Sequence, residues 1–414
     1  MTNTLQVIRR FVFEEWGGTE TVVWNTSRML KQMGNELEIL ATSALGTKGN
    51  ETEDDINIRR FPYFYPYLNL NGSKRLILDK KGGDPYSLEL YRYLLSAQNI
   101  DLIHCHTMNR IAASVRLAAK KKNIPYVVSF HGGHFDVPAE EMRLMTIPYK
   151  GTLNYGKLID IMVHKNRYLD DADGIICVGY NEYELTSEKY PEKLVYYLPN
   201  GVDTEKFNFK GSNDFREKYG IATDEKVILC LSRIDYQKNQ KQLVDLTQRL
   251  RSEGERIKLV LLGPITSELY FAQIKKAIAN FGLEKDVIII QGLRANDPDL
   301  VKAYDAADIF ILPSIHEPFG IVVLEAWASG LPVIAAATGG LKKLVKPEVN
   351  GLLFDGSLED LYQKYKQLST VDALAARLCE EATREVNSTY SWTAITKLLQ
   401  EYYDEIIAKH RKQK

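Results

Sequence analysis

Residues 308–336 read DIFILPSIHEPFGIVVLEAWASGLPVIAA. DIFILPS is a short apolar run with the character of a buried strand, and SIHEPFG follows as a loop. IVVLEAWASG reads as a helix, with Pro318 near its start and Gly330 at its end, where those residue types are favoured. PVIAA is again strand-like. The same order recurs along most of the chain. Before residue 200 the strand-like runs are LQVIRRFVF (5–13), LEIL, DLIHCH, YVVSFH, GIICV and LVYYLP. After it they are KVILCLS, KLVLLG, VIIIQG, DIFILPS, PVIAA and GLLF. Short β-branched runs separated by crossover lengths mean parallel sheets with helices on both faces. Two such sets predict an α/β protein with two doubly wound parallel-sheet domains.

The turn residues of LPNGVDTEKF (198–207) mark the joint, giving domains over 1–198 and 199–388. From Ser391, a residue suited to an N-cap, Ile395, Leu398, Leu399, Tyr402, Tyr403, Ile406 and Ile407 fall at helical spacing. Residues 389–414 are therefore expected to form a helix that packs back on the first domain.

The chain has 414 residues, too many for one ordinary core. It is 45% hydrophobic and 26% charged, with a formal net charge of −1. Both halves are balanced in charge, which argues against a broad nucleic-acid-binding face. Cys105, Cys177, Cys230 and Cys379 are scattered without CxxC spacing, so neither a zinc cage nor a redox pair is expected. Three of them sit in apolar runs and read as core residues in a reducing cytosol. The N-terminal stretch lacks the apolar segment of a signal peptide, and no run is long enough to span a membrane. The expected location is the cytoplasm, with the inner membrane face as a candidate surface.

Glu317 and Glu325 flank the loop-to-helix junction of the opening stretch. The backbone amides of Phe319, Gly320 and Ile321 would be the unpaired donors of a helix N-terminus, which attracts phosphate. Carboxylates repel phosphate, so the two glutamates should instead accept hydrogen bonds from hydroxyls on either side of it. A nucleoside diphosphate sugar has that shape: ribose diol, diphosphate, sugar diol. A diphosphate also needs cations. LSRIDYQKNQ (231–240) puts Arg233 and Lys238 after the strand KVILCL, at the sheet edge where ligands of open α/β sheets bind. Each charge-assisted hydrogen bond there would contribute roughly 1.5–3 kcal/mol.

SRIDYQKN, then GL at 292–293, then AYDAADIFILPSIHEPFGIVVLEAWASGLPVIAAATGG resemble the nucleotide-binding half of family 4 retaining glycosyltransferases of GT-B fold. PNGVDTEKF and NGLLFD match the same family, and the resemblance runs through nearly the whole chain. It implies two Rossmann-like domains facing a central cleft, and the E-x7-E motif at Glu317 and Glu325. It implies that Arg233 and Lys238 hold the diphosphate and neutralise the leaving group. Glu325 would bind ribose hydroxyls and Glu317 hydroxyls of the transferred sugar. Phe319, Gly320 and Ile321 would supply amides, and Leu293 would lie beside the base.

In the first half, EEWGGTET (14–21) separates the first strand from a helix expected over Thr19–Met33 and closed by Gly34. The pattern is not GxGxxG. Gly17 and Gly18 permit close backbone approach to a ligand, and in the resembled family this loop closes over the diphosphate. Glu20 matches the family's GGxE pattern. SFHGGHFD (129–136) places His131 where the family has a histidine contacting the donor sugar near the reacting centre. A rival reading makes His131, His134 and Asp136 a metal site. His104 and His106 alternate along DLIHCH and read as a satisfied strand-end pair, with His106 the one able to line the cleft. FPYFYPYLNLNGSKRLILDKK (61–81), aromatic then basic, reads either as an aromatic strand edge and a solvated loop or as a loop at the cleft edge suited to an acceptor or a membrane surface.

The resemblance implies a metal-independent hexosyl transfer from a nucleotide-diphosphate-sugar, with UDP and GDP donors favoured, and no cofactor. No residue is placed as a covalent nucleophile, so a front-face displacement is expected. The acceptor is open: a glycan, a lipid-linked sugar or a small molecule. The rivals are a glycoside hydrolase using Glu317 and Glu325, a non-catalytic nucleotide-sugar or glycan-binding homologue, and a sugar-nucleotide epimerase on the same fold.

Overall fold

The computed structural model describes residues 1–13, 17–80, 82–131, 146–292 and 297–412. The chain divides into two units: Met1–Pro199 together with Ile395–Lys414, and Asn200–Ala394.

The first unit contains β1 (Asn3–Arg10), β2 (Glu36–Thr42), β3 (Gly49–Glu53), β4 (Ile56–Phe61), β5 (Tyr67–Leu68), β6 (Leu102–Cys105), β7 (Tyr126–Phe130), β8 (Leu153–Asn154), β9 (Gly174–Cys177) and β10 (Leu194–Tyr197). Eight of these form one sheet in the order β10-β9-β7-β6-β1-β2-β4-β3. It is parallel except for β3, which pairs antiparallel with β4 at one edge. The central strands carry buried Val, Ile, Leu and Cys on both faces, as a helix-covered parallel sheet requires. The helix Gly18–Gln32 follows β1 and ends before Gly34, whose φ of 86° only glycine adopts readily.

Ser391 caps the helix Trp392–Lys412, its Oγ accepting from the Ala394 amide. The helix joins the first unit from Ile395 and buries Leu399, Tyr403 and Ile406 there. Gly174 in β9 explains how the helix comes so close: a Cβ at that position would lie 2.7 Å from Ile406 Cδ1.

The second unit holds β11 (Lys226–Leu231), β12 (Ile257–Leu262), β13 (Val287–Ile290), β14 (Ile309–Leu312), β15 (Val333–Ala336) and β16 (Leu352–Phe354). They form an all-parallel sheet in the order β13-β12-β11-β14-β15-β16. The order runs outward from β11 in both directions, so the loops after β11 and β14 flank the topological switch point where ligands of such sheets bind. Separate buried clusters fill the two faces, one including Trp327 and Phe310 and the other Ile311 and Tyr365.

Residues 61–80 depart from the expected loop. β5 and β8 form a small antiparallel ribbon, and Gly72–Lys80 is a helix. Most of the aromatic residues turn inward. Tyr63 and Tyr65 both donate to Asp79 Oδ1, at 2.7 and 2.9 Å, and Tyr67 packs on Tyr149 with centroids 4.8 Å apart. Burying a carboxylate requires donors, and the tyrosines are spent on that task. Residue 81 lies outside the described residues.

Candidate active site

In the second unit, the sequence after β11 folds into a tight loop because its side chains hold its own backbone. Asp235 caps the short turn Tyr236–Lys238, accepting from the amides of Gln237 and Lys238. Buried Gln240 donates to Ser232 Oγ at 2.8 Å and to the Arg233 carbonyl at 2.7 Å. The loop after β14 is tied to it, since the Ile315 amide donates to the Gln237 carbonyl at 2.7 Å. A third loop, Thr338-Gly339-Gly340, closes the arrangement from behind. The Gly340 amide donates to the Glu317 carbonyl at 2.8 Å, and Thr338 Oγ1 donates to the Ser314 carbonyl at 2.9 Å. Side chains would not fit there: a Cβ at Gly339 would sit 2.3 Å from the Glu317 carbonyl oxygen, and one at Gly340 2.1 Å from that of Pro318.

This scaffold brings Lys238 Nζ to 2.6 Å from Glu317 Oε2, both side chains largely buried. Glu317 is expected to lie apart from the diphosphate subsite of Lys238, because a carboxylate repels phosphate. The structure pairs the two, because a shielded ammonium and a shielded carboxylate each need a counter-charge. Arg233 is different: its side chain is about half exposed and lies 3.5 Å from Asp235.

Gly320 stands just before the helix Ile321–Ala328 with φ 99°, and a Cβ there would strike Leu341 at 2.7 Å. Glycine at this position is a requirement of the chain's own packing. The Phe319 ring is buried in the core, in edge contact with Tyr390, so only its backbone is free to serve a ligand. Ile321 opens the helix and is half-buried. Glu325 lies one helical turn further on, where its Oε2 accepts from Tyr304 OH at 2.7 Å. Burial raises its carboxyl from the ordinary 4.5 to about 7, against smaller opposing effects of the Tyr304 hydrogen bond and the Lys206 charge. Leu293 lies outside the described residues.

In the first unit, Gly17 precedes the helix Gly18–Gln32, and the Gly17 carbonyl accepts from the Thr21 amide. Buried Glu20 folds back on this turn and pairs with Arg10 at 3.1 Å. A side chain at Gly17 would meet the Glu20 carboxylate, whereas one at Gly18 would meet nothing within 4 Å.

His131 directly follows β7 and joins a row of rings. His106 packs tilted against His104 at 3.7 Å and stacks on His131 at 5.2 Å between centroids. His104 bonds Tyr403 OH and Ser129 Oγ, at 2.5 and 2.6 Å. His106 bonds His131 Nε2 at 3.0 Å and Gln6 Oε1 at 2.9 Å. Burial depresses all three imidazoles, His131 to about 4 and the others well below their ordinary value. They are neutral at physiological pH. His134 and Asp136, the partners of the rival metal reading, lie outside the described residues.

Several contributors carried no signal of their own in the sequence. Tyr304 sits in AYDAAD and looks like core, and Gln6 is one polar residue within an apolar strand. Tyr403 lies about three hundred residues from the histidines it supports. Asp235 alone had a local signal, as a capping residue before a turn.

Against known proteins, the chain matches two family models that together span most of its length. The model described as Glycosyltransferase Family 4 matches residues 16–206, and the one described as Glycosyl transferases group 1 matches residues 211–385. The alpha-monoglucosyldiacylglycerol synthase of Streptococcus pneumoniae is 27% identical over 83% of this chain and 73% of its own. The D-inositol 3-phosphate glycosyltransferase of Xylanimonas cellulosilytica is 27% identical over 89% of this chain and 85% of its own. Among solved structures, Anabaena HepE in complex with UDP-glucose superimposes with a TM-score of 0.67 at 19% identity, covering 98% of this chain and 100% of its own. Two doubly wound units, the tied loops after β11 and β14 and these matches converge on one assignment: the chain belongs to the group 1, family 4 glycosyltransferases of GT-B fold.

Proposed function

We propose that the protein moves a hexose from a nucleoside-diphosphate-sugar, with UDP or GDP as the nucleotide, to an acceptor hydroxyl with retention at the anomeric carbon and without a metal ion. The reading rests on the meeting of Lys238 and Glu317 beside the start of the helix Ile321–Ala328, with Glu325 further along that helix. In the free protein Lys238 is neutralised by Glu317. An arriving diphosphate offers Lys238 more negative charge than one carboxylate does, and Glu317 is released to accept from sugar hydroxyls. Arg233, half exposed, adds a second cation. As the anomeric bond breaks, charge grows on the diphosphate, and these groups stabilise the transition state more than the ground state. The acceptor hydroxyl attacks from the face the diphosphate leaves and passes its proton to a diphosphate oxygen. Gly18, whose lack of a side chain the chain's own packing does not require, suits close approach of the donor. His131 is assigned to a hydroxyl of the transferred sugar.

Thermal shift against UDP, GDP and ADP, with and without divalent metal, tests the donor. A rise with one nucleotide irrespective of metal is expected; no rise with any would overturn the reading.

We further propose that the acceptor is met at an anionic lipid surface. Leu68 and Leu153 stand directly opposite each other on the β5–β8 ribbon, both more than half exposed. Leu158, Ile161 and Met162, about 70% exposed, line one face of the helix Lys157–Met162. The neighbouring acids are occupied, Asp79 by two tyrosines and Asp160 by Arg110. Exposed Arg75, Lys150 and Lys157 leave the outward charge cationic. Among the described residues no helix is long and apolar enough to cross a membrane, so such contact would be peripheral. Relatives named for a diacylglycerol product and for an inositol phosphate keep both lipid and small-molecule acceptors in view. Co-sedimentation with phosphatidylglycerol vesicles but not phosphatidylcholine vesicles, lost on replacing Leu158 and Met162 with serine, is expected. Equal failure with both would leave a small-molecule acceptor.

A further inference from the structure

The row of histidines in the first unit carries information about one proton. His106 and His131 are buried and neutral, so each ring bears one N–H. His106 Nδ1 faces His131 Nε2 at 3.0 Å, and one of the two nitrogens must donate to the other. The choice is made at the far end of His106. Its Nε2 lies 2.9 Å from Gln6 Oε1, an atom that only accepts. His106 therefore carries its hydrogen on Nε2 and offers a bare Nδ1. His131 must then carry its hydrogen on Nε2, which leaves His131 Nδ1 bare. That atom is shielded and has no hydrogen-bond partner among the described residues.

Tyr403 OH also lies 3.5 Å from Gln6 Oε1, and a hydroxyl can donate or accept, so the orientation of the Gln6 amide follows from its hydrogens: this one gives both of them an acceptor. Gln6 Nε2 donates to Thr4 Oγ1 at 2.9 Å and to Tyr403 OH at 3.3 Å. Tyr403 is fixed in turn by His104, whose other nitrogen is on Ser129 Oγ. A flipped amide would face His106 with its NH2 group, reverse both donations and make His131 Nδ1 a donor.

We propose that Gln6 and His106 are positioning residues that lock His131 into the Nε2–H tautomer, so that it presents Nδ1 as a hydrogen-bond acceptor for a substrate hydroxyl. Tyr403, from the C-terminal helix, holds the origin of that chain. The proposal rests on the reading that His131 meets the transferred sugar. It extends that reading by stating which atom does so and in which sense. An acceptor there selects for a hydroxyl and against a group without a proton to give.

The test is a two-bond proton–nitrogen spectrum of the full chain labelled with 15N-histidine, assigned with His131→Asn and His106→Asn. His131 is expected to show a protonated Nε2 and a non-protonated Nδ1, unchanged across the neutral pH range. A protonated Nδ1 on His131 would overturn the proposal. Gln6→Met keeps the volume and removes the strong acceptor. It should turn the His131 signal into a mixture of tautomers and lower the transfer rate at unchanged nucleotide affinity. A single unaltered tautomer in that variant would equally overturn the role of Gln6. If the variant does not fold, the wild-type spectrum alone still decides the tautomer. Should the spectrum be as expected while His131→Asn transfers sugar at the wild-type rate, the contact with the sugar is refuted and the tautomer lock stands.

Discussion

Replacing Glu325 by Gln should make the protein more stable and worse at its task. The wild-type carboxyl titrates at about 7 against an ordinary 4.5, chiefly because burial penalises its ionised form. At about 1.4 kcal/mol per pKa unit, that penalty is about 3 kcal/mol once the group is fully ionised. The residue keeps partial exposure, so this is an upper bound. The folded carboxyl holds its proton more tightly than the unfolded one. The stability it contributes is therefore fully present below about 4.5, is lost as pH rises through about 7, and stays lost above. Glutamine keeps the acceptor oxygen for Tyr304 and never ionises. Calorimetric melts from about pH 5 to about pH 8.5 should show the Glu325→Gln variant gaining on wild type as pH rises, by roughly 5–10 °C at the top of the range. The same variant should bind the nucleotide roughly 10- to 100-fold more weakly, having lost charge-assisted bonds to ribose hydroxyls. Parallel pH–stability curves for variant and wild type would refute the burial argument. Unchanged nucleotide affinity would refute the ribose assignment.

Lys238→Ala should leave Glu317 shielded without its partner, costing about 3 kcal/mol in denaturant melts and lowering turnover at least a hundredfold. Adding Glu317→Gln to that variant should restore the melt and not the turnover; restored turnover would remove Lys238 from the chemistry. Gly340→Ala should destabilise by about 1–3 kcal/mol, because the new Cβ must displace the Pro318 carbonyl. It should also raise KM for the donor by moving the loop that carries Glu317. A wild-type melting temperature would show that the loop is softer than its contacts suggest.

The fold class was legible because each strand of the two parallel sheets is locally marked: a short β-branched run bounded by turns, at crossover spacing. The closing helix was legible for a similar reason, since Ile395, Leu399, Tyr403 and Ile406 repeat at helical period. Residues 61–80 were not. Their aromatic and basic composition suggested an open loop, whereas the buried Asp79 and its two tyrosine donors fold them onto the domain. No local pattern announces a carboxylate that will be buried.

The sequence alone placed Arg233, Lys238, Glu317 and Glu325 near one sheet edge, because a strand's C-terminal end and the helix after it are read from neighbouring residues. Only the tertiary structure set Lys238 against Glu317, across seventy-nine positions, and Glu325 against Tyr304. It alone put Gln6, His106, His131 and Tyr403 into one chain of hydrogen bonds. Charge pairing and tautomer choice depend on which atoms lie within about 3 Å of each other once the chain is packed. Periodicity and spacing describe neighbours along the chain. Lys238 and Glu317 become neighbours only because β11 pairs with β14 in the second unit, and the histidine row only through β1, β6 and β7 and the helix that returns to cover them.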